Sequence, residues 1–134
     1  MAFDPNQYPH AELTEKIIGA AMTVHRALGP GLDEKIYENA LCLELAAHSL
    51  DFNQQAQFPV FYRNHIVGKL IADLIIEGKI VVETKVADRI ADVHIAQTLG
   101  YLSITGLQVG LVLNFKSVSL TFKRVANIYL DNRS

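Results

Sequence analysis

The chain has 134 residues, of which 14 are acidic and 12 are Lys or Arg, and half of its residues are hydrophobic. This length predicts one domain, residues 1–134, with a self-sufficient core at about 13–124. The net charge of −2 argues against a protein that coats nucleic acid by bulk electrostatics. The N-terminus lacks a basic region followed by an apolar run, and no apolar run is long enough to span a membrane. We therefore expect a cytoplasmic protein without a membrane partner.

Charge and cysteine content differ along the chain. Residues 1–62 carry a net charge of −5 and residues 63–134 carry +3. The positive charge of the second half indicates either a modest attraction for an anionic ligand or simply a solvated face of mixed charge. The second interpretation is at least as good as the first. The single Cys42 cannot form an intramolecular disulfide, and we expect it to be a small buried side chain.

Two helices are predicted in the first half of the chain. The first ends at residues 29–31 (Gly-Pro-Gly), and its apolar positions are Leu13, Ile17, Ala21, Val24 and Leu28. The second begins near Leu32 with Asp33 and Glu34 in its first turn, which suits the positive end of the helix dipole. Its apolar stripe is predicted as Ile36, Ala40, Leu43 and Ala47.

The remaining elements are three strands, a helix and two strands. The predicted strands are 56–62, 66–76 and 79–86, then 108–115 and 118–124, and the helix is 88–104, ending at Gly106. Pro59 favours an edge position for the first strand. The second strand is predicted to be apolar on both faces, with Leu70, Ala72, Leu74 and Ile76 on one and Ile71 and Ile75 on the other. Such a sheet needs helices on both sides, which indicates an α/β domain with a mixed sheet.

Three charges interrupt the apolar hairpin of the second and third strands. Asp73 lies in the second strand, and Glu83 and Lys85 share one face of the third. If the loop is centred on Gly78, paired residue numbers sum to 156 and Asp73 lies opposite Glu83. A two-residue turn would instead pair Asp73 with Val82 and send the carboxylates to opposite faces. A buried carboxylate requires a partner charge or a cation.

These residues resemble a known signature. Asp73, nine further residues and then Glu83-Thr84-Lys85 are similar to the motif of the PD-(D/E)XK nuclease superfamily. Residues 29–41 resemble the naming motif of the GxxExxY protein family, with Gly31, Glu34 and Tyr37 in the named positions. The likeness continues through residues 94–102 and 109–115. It implies a restriction-endonuclease-like α/β domain whose mixed β-sheet is flanked by helices.

The resemblance also implies a set of site residues. Asp73 and Glu83 would hold Mg²⁺ or Mn²⁺, and the carbonyl of Thr84 would add a third oxygen ligand. Glu34 would be a further carboxylate, direct or through water. Lys85 would orient or deprotonate the attacking water and neutralise charge on the phosphate, with Gln97 beside it. The implied activity is hydrolysis of phosphodiester bonds in DNA or RNA.

Other interpretations stay open. Glu83 and Lys85 would, as an alternative, form a simple ion pair, and Glu34 would serve only the helix dipole. His25 and His94 are expected to be core or interface residues. Tyr37 and Tyr101 are expected to pack with a tethered hydroxyl. The alternatives to a nuclease are a non-catalytic nucleic-acid or nucleotide binder and an oligomeric interaction module. Since hydrophobic residues are abundant for this length, we also expect a homodimer.

Overall fold

The computed structural model describes residues 8–127, so the predicted domain limits at residues 1 and 134 lie outside the described residues. Three helices and five strands follow one another in the predicted order, which is two helices, three strands, one helix and two strands. They are α1 (Ala11–Leu28), α2 (Glu34–Ala47), β1 (Phe52–Tyr62), β2 (His65–Ile76), β3 (Ile80–Lys85), α3 (Asp92–Thr105), β4 (Val109–Asn114) and β5 (Thr121–Ala126). None of the helices in this part of the chain combines the length and the apolar character needed to cross a bilayer.

The five strands form one mixed sheet in the order β1-β2-β3-β4-β5. All neighbours are antiparallel except β3 and β4, which are parallel because α3 crosses from one to the other. The edge position predicted for the first strand is confirmed. Gly110 of β4 lets α3 approach closely, because a Cβ built there would lie 2.6 Å from the Thr98 side chain.

Each face of the sheet has its own core. The larger cluster lies under α1 and α2 and includes Ile80 and Val82 of β3. The smaller cluster lies under α3 and includes Val81 of β3 together with Tyr101 and Leu102. Alternate residues of β3 thus enter opposite cores, and the predicted sheet with helices on both sides is confirmed.

The predicted apolar face is correct for α1 and wrong for α2. In α1, Ile17, Ala21 and Val24 are buried as predicted, although Leu28 is exposed. In α2 the buried residues are Tyr37, Glu38, Leu41, Cys42 and Leu45, whereas Leu43 is 76% exposed. The observed buried residues recur at three- and four-residue steps, as the predicted ones do, so helical periodicity is compatible with either face. Helix α3 begins at Asp92 rather than near 88, and it buries Thr98, Tyr101 and Leu102.

The faces of β2 were also predicted wrongly. Leu74 and Ile76 belong to the core under α1 and α2, but Leu70 and Ala72 pack against the core under α3. The change of face occurs where β1 pairs Gln54 with Leu74 and then Ala56 with Ala72. Gln55, between them, has a φ of 54°, a left-handed conformation that rotates the strand.

The far half of the β1–β2 hairpin is not buried, since Phe61, Tyr62, Ile66 and Val67 are exposed.

Several strand limits also differ from the prediction. β1 begins earlier, at Phe52, β3 ends one residue earlier, at Lys85, and β5 runs from Thr121 to Ala126 instead of 118–124. Val118 is 86% exposed, so its apolar character did not indicate a buried strand position.

Tyr37 connects the loop after α1 to the body of α2. Its ring is fully buried and stacks on Phe115 with ring centroids 4.6 Å apart. Its hydroxyl donates a hydrogen bond to the carbonyl of Gly29 and accepts one from the amide of Leu32 at 3.2 Å. The expected tethered hydroxyl is therefore confirmed. This tether fixes the start of α2, and Glu34 is the first residue of that helix.

Replacing Tyr37 by Phe should destabilise the protein by about 1–2 kcal/mol, because the Gly29 carbonyl and the Leu32 amide would lose a partner. Urea unfolding monitored by circular dichroism measures the change. Tyr62→Phe is the matched control, since Tyr62 is 65% exposed. Equal free energies of unfolding for Tyr37→Phe and the wild type would contradict this role.

Candidate active site

The β2–β3 hairpin has the register predicted for a loop centred on Gly78. The paired residues are Leu74 with Val82, Ile75 with Val81, and Ile76 with Ile80, so each pair of numbers sums to 156. Gly78 has a φ of 64° in the three-residue loop, a conformation that glycine adopts without strain. Asp73 and Glu83 are the residues immediately beyond the pair of Leu74 with Val82.

Asp73 is bound to the end of β3 through Thr84. One carboxylate oxygen, Oδ2, accepts hydrogen bonds from the Thr84 amide at 2.9 Å and from the Thr84 hydroxyl at 3.1 Å. The amide and the carbonyl of one strand residue point to the same side of the strand. The Thr84 carbonyl therefore faces β2, whereas the Lys85 carbonyl accepts from the Phe115 amide on the β4 side.

Glu83 is an acidic side chain in a buried position. It is only 3% exposed, and among the described residues its Oε1 atom has no hydrogen-bond partner. Burial, followed by the negative charge of Asp73 and a hydrogen bond with that side chain, raises the pKa of Glu83 from 4.5 to about 9. Lys85 and the Asp73 backbone amide lower the pKa by smaller amounts. The site is thus short of positive charge.

Lys85 does not supply the missing charge by direct pairing. Within residues 8–127, the ion pairs closer than 4.0 Å do not include one between Lys85 and Glu83. The ammonium of Lys85 instead donates to Oε1 of Gln97 at 3.3 Å. Gln97 on α3 therefore lies beside Lys85, as expected. The simple ion pair, which was the alternative interpretation of Glu83 and Lys85, is not formed.

Tyr101 follows Gln97 by one helical turn and is 8% exposed. Burial, with further contributions from Glu83 and Asp73, raises the pKa of its phenol. A hydrogen bond with Gln97 acts in the opposite direction. Tyr101 therefore packs with a tethered hydroxyl, as predicted, and its tether leads to the same Gln97 that holds Lys85.

Glu34 approaches the site from the start of α2. Burial raises its pKa, whereas Lys85 and a hydrogen bond from the Val86 backbone amide lower it, and the charge of Asp73 raises it. Glu34 is thus coupled to the site electrostatically. No group of three or more His, Cys, Asp and Glu side chains in the described part of the chain is arranged to hold a metal ion. The two strand carboxylates and the Thr84 carbonyl are the better candidates for a ligand set.

Glu38 is a functional candidate that the sequence analysis missed. It is 2% exposed and accepts hydrogen bonds from Lys35 at 2.9 Å, from Gln54 at 2.6 Å and from Gln55 at 3.1 Å. It thus ties α2 to Gln55, the left-handed residue of β1. The two neighbours of Gln55 pair with Leu74 and Ala72, the two neighbours of Asp73 on β2. The available signal was its position next to Tyr37 on the buried side of α2 and the polar pair Gln54-Gln55 at the start of a strand.

Asn114, at the end of β4, was also missed. It is 1% exposed, accepts from the Ala87 amide at 3.1 Å and donates to the Ala87 carbonyl at 2.8 Å. These two bonds hold the segment that follows Lys85. No sequence pattern pointed to this residue, because its partner is 27 positions away.

The two histidines have structural roles. His25 is buried, its Nε2 lies 3.1 Å from the carbonyl oxygen of Phe115, and its ring stacks on Tyr37. His94 accepts the Ala91 amide through Nδ1 at 3.0 Å, which caps the start of α3. The prediction of a core residue is confirmed for His25, whereas His94 is half-buried and acts as a helix cap. The predicted burial of Cys42 is also confirmed, and that burial raises the pKa of its thiol.

The donor atoms of this site fit a hard divalent cation. The two carboxylates and one backbone carbonyl are oxygen ligands of the type that Mg²⁺ and Mn²⁺ prefer. The unpartnered Oε1 of Glu83 is the observation that tests the fit, because such a buried oxygen is costly unless a proton or a cation satisfies it.

Comparisons with known proteins concern the family and the fold of this chain. The family model described as the PD-(D/E)XK nuclease superfamily matches residues 11–125. The crystal structure of SSO0001 is similar in fold, with a TM-score of 0.56 and 18% sequence identity, over 88% of this chain and 59% of that one. This chain thus spans less than two thirds of SSO0001. No curated protein matches it. The predicted restriction-endonuclease-like fold is confirmed.

The raised pKa of Glu83 predicts how the metal-free protein responds to pH. The folded protein keeps a proton that the unfolded chain loses above about pH 4.5, so this part of the stability is complete below pH 4.5 and is lost as the pH rises toward 9. We therefore compare the free energy of unfolding in urea with EDTA at pH 5 and at pH 8. Between these values the free energy of unfolding should fall by about 2–4 kcal/mol more for the wild type than for Glu83→Gln.

Glu12→Gln is the matched control, since Glu12 on α1 is 87% exposed in its side chain. It should keep the pH dependence of the wild type. Parallel stability profiles for the wild type and Glu83→Gln would show that Glu83 ionises normally and would contradict the prediction.

Proposed function

Because the chain belongs to the PD-(D/E)XK nuclease superfamily, we propose that it is a divalent-metal-dependent nuclease that hydrolyses phosphodiester bonds of nucleic acid. The single observation that carries this proposal is the buried Glu83 beside Asp73, with one oxygen unpartnered among the described residues. Within the superfamily we propose a relationship to the GxxExxY family. Its support is Tyr37, whose tether fixes the helix start that directs Glu34 toward the site.

Asp73, Glu83 and the Thr84 carbonyl would hold the cation, which we propose to be Mg²⁺ or Mn²⁺. Such a cation supplies Lewis-acid stabilisation of phosphoryl charge and makes water a competent nucleophile at neutral pH. Glu34, which is coupled to Asp73 and Lys85, would act through water. The hydrogen bonds from Thr84 keep Asp73 oriented toward Glu83 while the substrate binds.

Lys85 would orient the attacking water and, as an ammonium, offset the negative charge that develops on the phosphate. Its ammonium is suited to this role because it is not bound to a carboxylate within residues 8–127, where its hydrogen bond goes to the neutral amide of Gln97. Gln97 would be a positioning residue that keeps the ammonium over the carboxylate pair.

A second candidate function is supported by the far half of the β1–β2 hairpin. Phe61, Tyr62, Ile66 and Val67 are 59–67% exposed there. Such a patch favours contact with another molecule, and a homodimer is the simplest form of it. The alternative is therefore an oligomeric interaction module, or a nucleic-acid binder without catalysis, on the same fold. We keep the cytoplasmic location as a further proposal, based on the sequence alone.

We predict that Mn²⁺ binds the wild type and that Asp73→Asn and Glu83→Gln each weaken this binding at least about tenfold, because each removes a charged ligand oxygen. Isothermal titration calorimetry in metal-free buffer measures the affinity. Glu12→Gln, which removes an exposed carboxylate on α1, should bind as the wild type does. Unchanged affinity in both site variants would remove the metal from this proposal.

We predict that Lys85→Met lowers the rate of metal-dependent cleavage about 100- to 1000-fold, because about 3–4 kcal/mol of transition-state stabilisation is lost. Folding and Mn²⁺ binding should be retained. The measurement is single-turnover cleavage of labelled single- and double-stranded DNA and RNA with Mg²⁺ or Mn²⁺.

Lys79→Met is the matched control, because Lys79 lies in the loop at the opposite end of β3. It should cleave at the wild-type rate. Equal rates for Lys85→Met and the wild type would show that Lys85 does not contribute to cleavage. If the wild type cleaves none of the four substrates, the binding-module alternative is the better description.

A further inference from the structure

A groove of about 420 Å³ lies between α3 and the β1–β2 hairpin. Val60 of β1 and Leu70 of β2 line one side, and Gly100 and Ile104 of α3 line the other. Ser103 and Gln97 provide polar atoms at its rim. A mainly apolar concavity with a few polar groups, of a volume within the range of about 300–1,000 Å³, is typical of a small-ligand site.

The groove adjoins the candidate active site at Gln97. This residue lines the groove, and its side-chain oxygen accepts a hydrogen bond from Lys85 at 3.3 Å. Tyr101 also lines the groove, and its ring is part of the core that contains Val81, two residues before Glu83. A ligand group in the groove would therefore lie next to whatever occupies the space between Lys85 and the two carboxylates.

Gly100 keeps the groove open. It lies in the interior of α3, where glycine is less favourable than alanine. A Cβ built on Gly100 would meet no heavy atom within 4 Å among the described residues, so packing does not require a glycine there. The absent side chain leaves free space on the groove side of the helix, and a bound group would use that space.

The charge of the chain indicates the kind of occupant. With 12 Lys and Arg residues against 14 acidic ones, the protein offers few contacts to the many phosphates of a duplex. Unpaired bases are bound differently, by stacking on apolar and aromatic side chains and by a few hydrogen bonds to their edges. An apolar groove beside a phosphate-directed lysine matches that mode.

We propose that this groove holds an unpaired nucleobase of a single-stranded nucleic acid, adjacent to the phosphate that reaches Asp73, Glu83 and Lys85. The proposal rests on the nuclease function proposed above and adds its substrate class. The strand would bind through one base and one phosphate at neighbouring positions. Duplex substrates would bind more weakly than single strands, because their bases are stacked and paired.

Gly100→Leu tests the proposal by filling the groove, and it also replaces glycine with a better helix former. The probe is a short fluorescein-labelled single strand of mixed sequence, as DNA and as RNA, whose binding is followed by fluorescence anisotropy with Ca²⁺. We expect binding to be at least about tenfold weaker than for the wild type. Gly19→Leu is the matched control, since Gly19 lies in α1 and its Cβ position is equally open. It should bind within twofold of the wild type.

Two further measurements keep the result specific. Ile104→Gln makes the wall polar without filling the groove, and it should also weaken binding. A strand with an abasic site in place of the base that the groove holds should bind the wild type more weakly than the intact strand does. Gly100→Leu should bind the two strands equally, because the variant and the abasic site remove the same contact. Thermal melting verifies that the variants fold.

Wild-type affinity in both Gly100→Leu and Ile104→Gln, or additive losses with the abasic strand, would overturn the proposal. So would light scattering that shows a wild-type dimer and a Gly100→Leu monomer, since the groove would then be an interface between two copies. Cleavage is measured separately. If the wild type cleaves nucleic acid and the groove variants bind normally, only this proposal fails. If the wild type binds single strands through the groove but cleaves none, only the nuclease function fails.

Discussion

The pair of carboxylates formed by Asp73 of β2 and the buried Glu83 of β3 is the constraint on which the rest of this structure depends. Glu83 is almost fully covered, and Asp73 lies beside it, held by the amide and hydroxyl of Thr84. Two such groups cannot both be ionised in a poorly solvated position without a compensating charge. Either a proton stays on Glu83, or a cation binds. The raised pKa of Glu83 describes the first state, and the proposed function requires the second.

Helix α2 serves this site through successive turns. Glu34 at its first residue is coupled to Asp73 and Lys85, and Glu38, four residues later, holds Gln54 and Gln55. Residues four apart lie on the same side of a helix, so both carboxylates face the sheet. Tyr37 fixes the start of this helix, because its hydroxyl is hydrogen-bonded to Gly29 and Leu32 in the preceding loop. The glutamate and tyrosine of the sequence motif thus have separate tasks, one electrostatic and one structural.

The change of face in the β1–β2 hairpin divides its two strands into two parts. On one side of Gln55, residues such as Leu74 pack beneath α1 and α2, and on the other, Leu70 and Ala72 pack toward α3. Asp73 lies at this division, where a carboxylate can leave the core. The same rotation places Leu70 and Val60 opposite α3, which forms the groove beside Gln97. One local backbone feature therefore positions Asp73 and shapes the adjacent groove.

The sequence by itself determined the element order, the register of the β2–β3 hairpin and the residues of the candidate site. Local rules carry the element order and the register, because the apolar patterns and the glycine-centred loop are visible without any long-range contact. The site residues came from the resemblance of Asp73, Glu83 and Lys85 to a known motif. The same rules failed for the buried stripe of α2 and the faces of β2. Periodicity fits two neighbouring helix stripes equally well, and a single left-handed residue such as Gln55 reverses a strand's alternation. Glu38, Asn114 and the groove at Gly100 were decided only by the tertiary structure, because their partners are distant in the chain and burial is a property of the assembled layers.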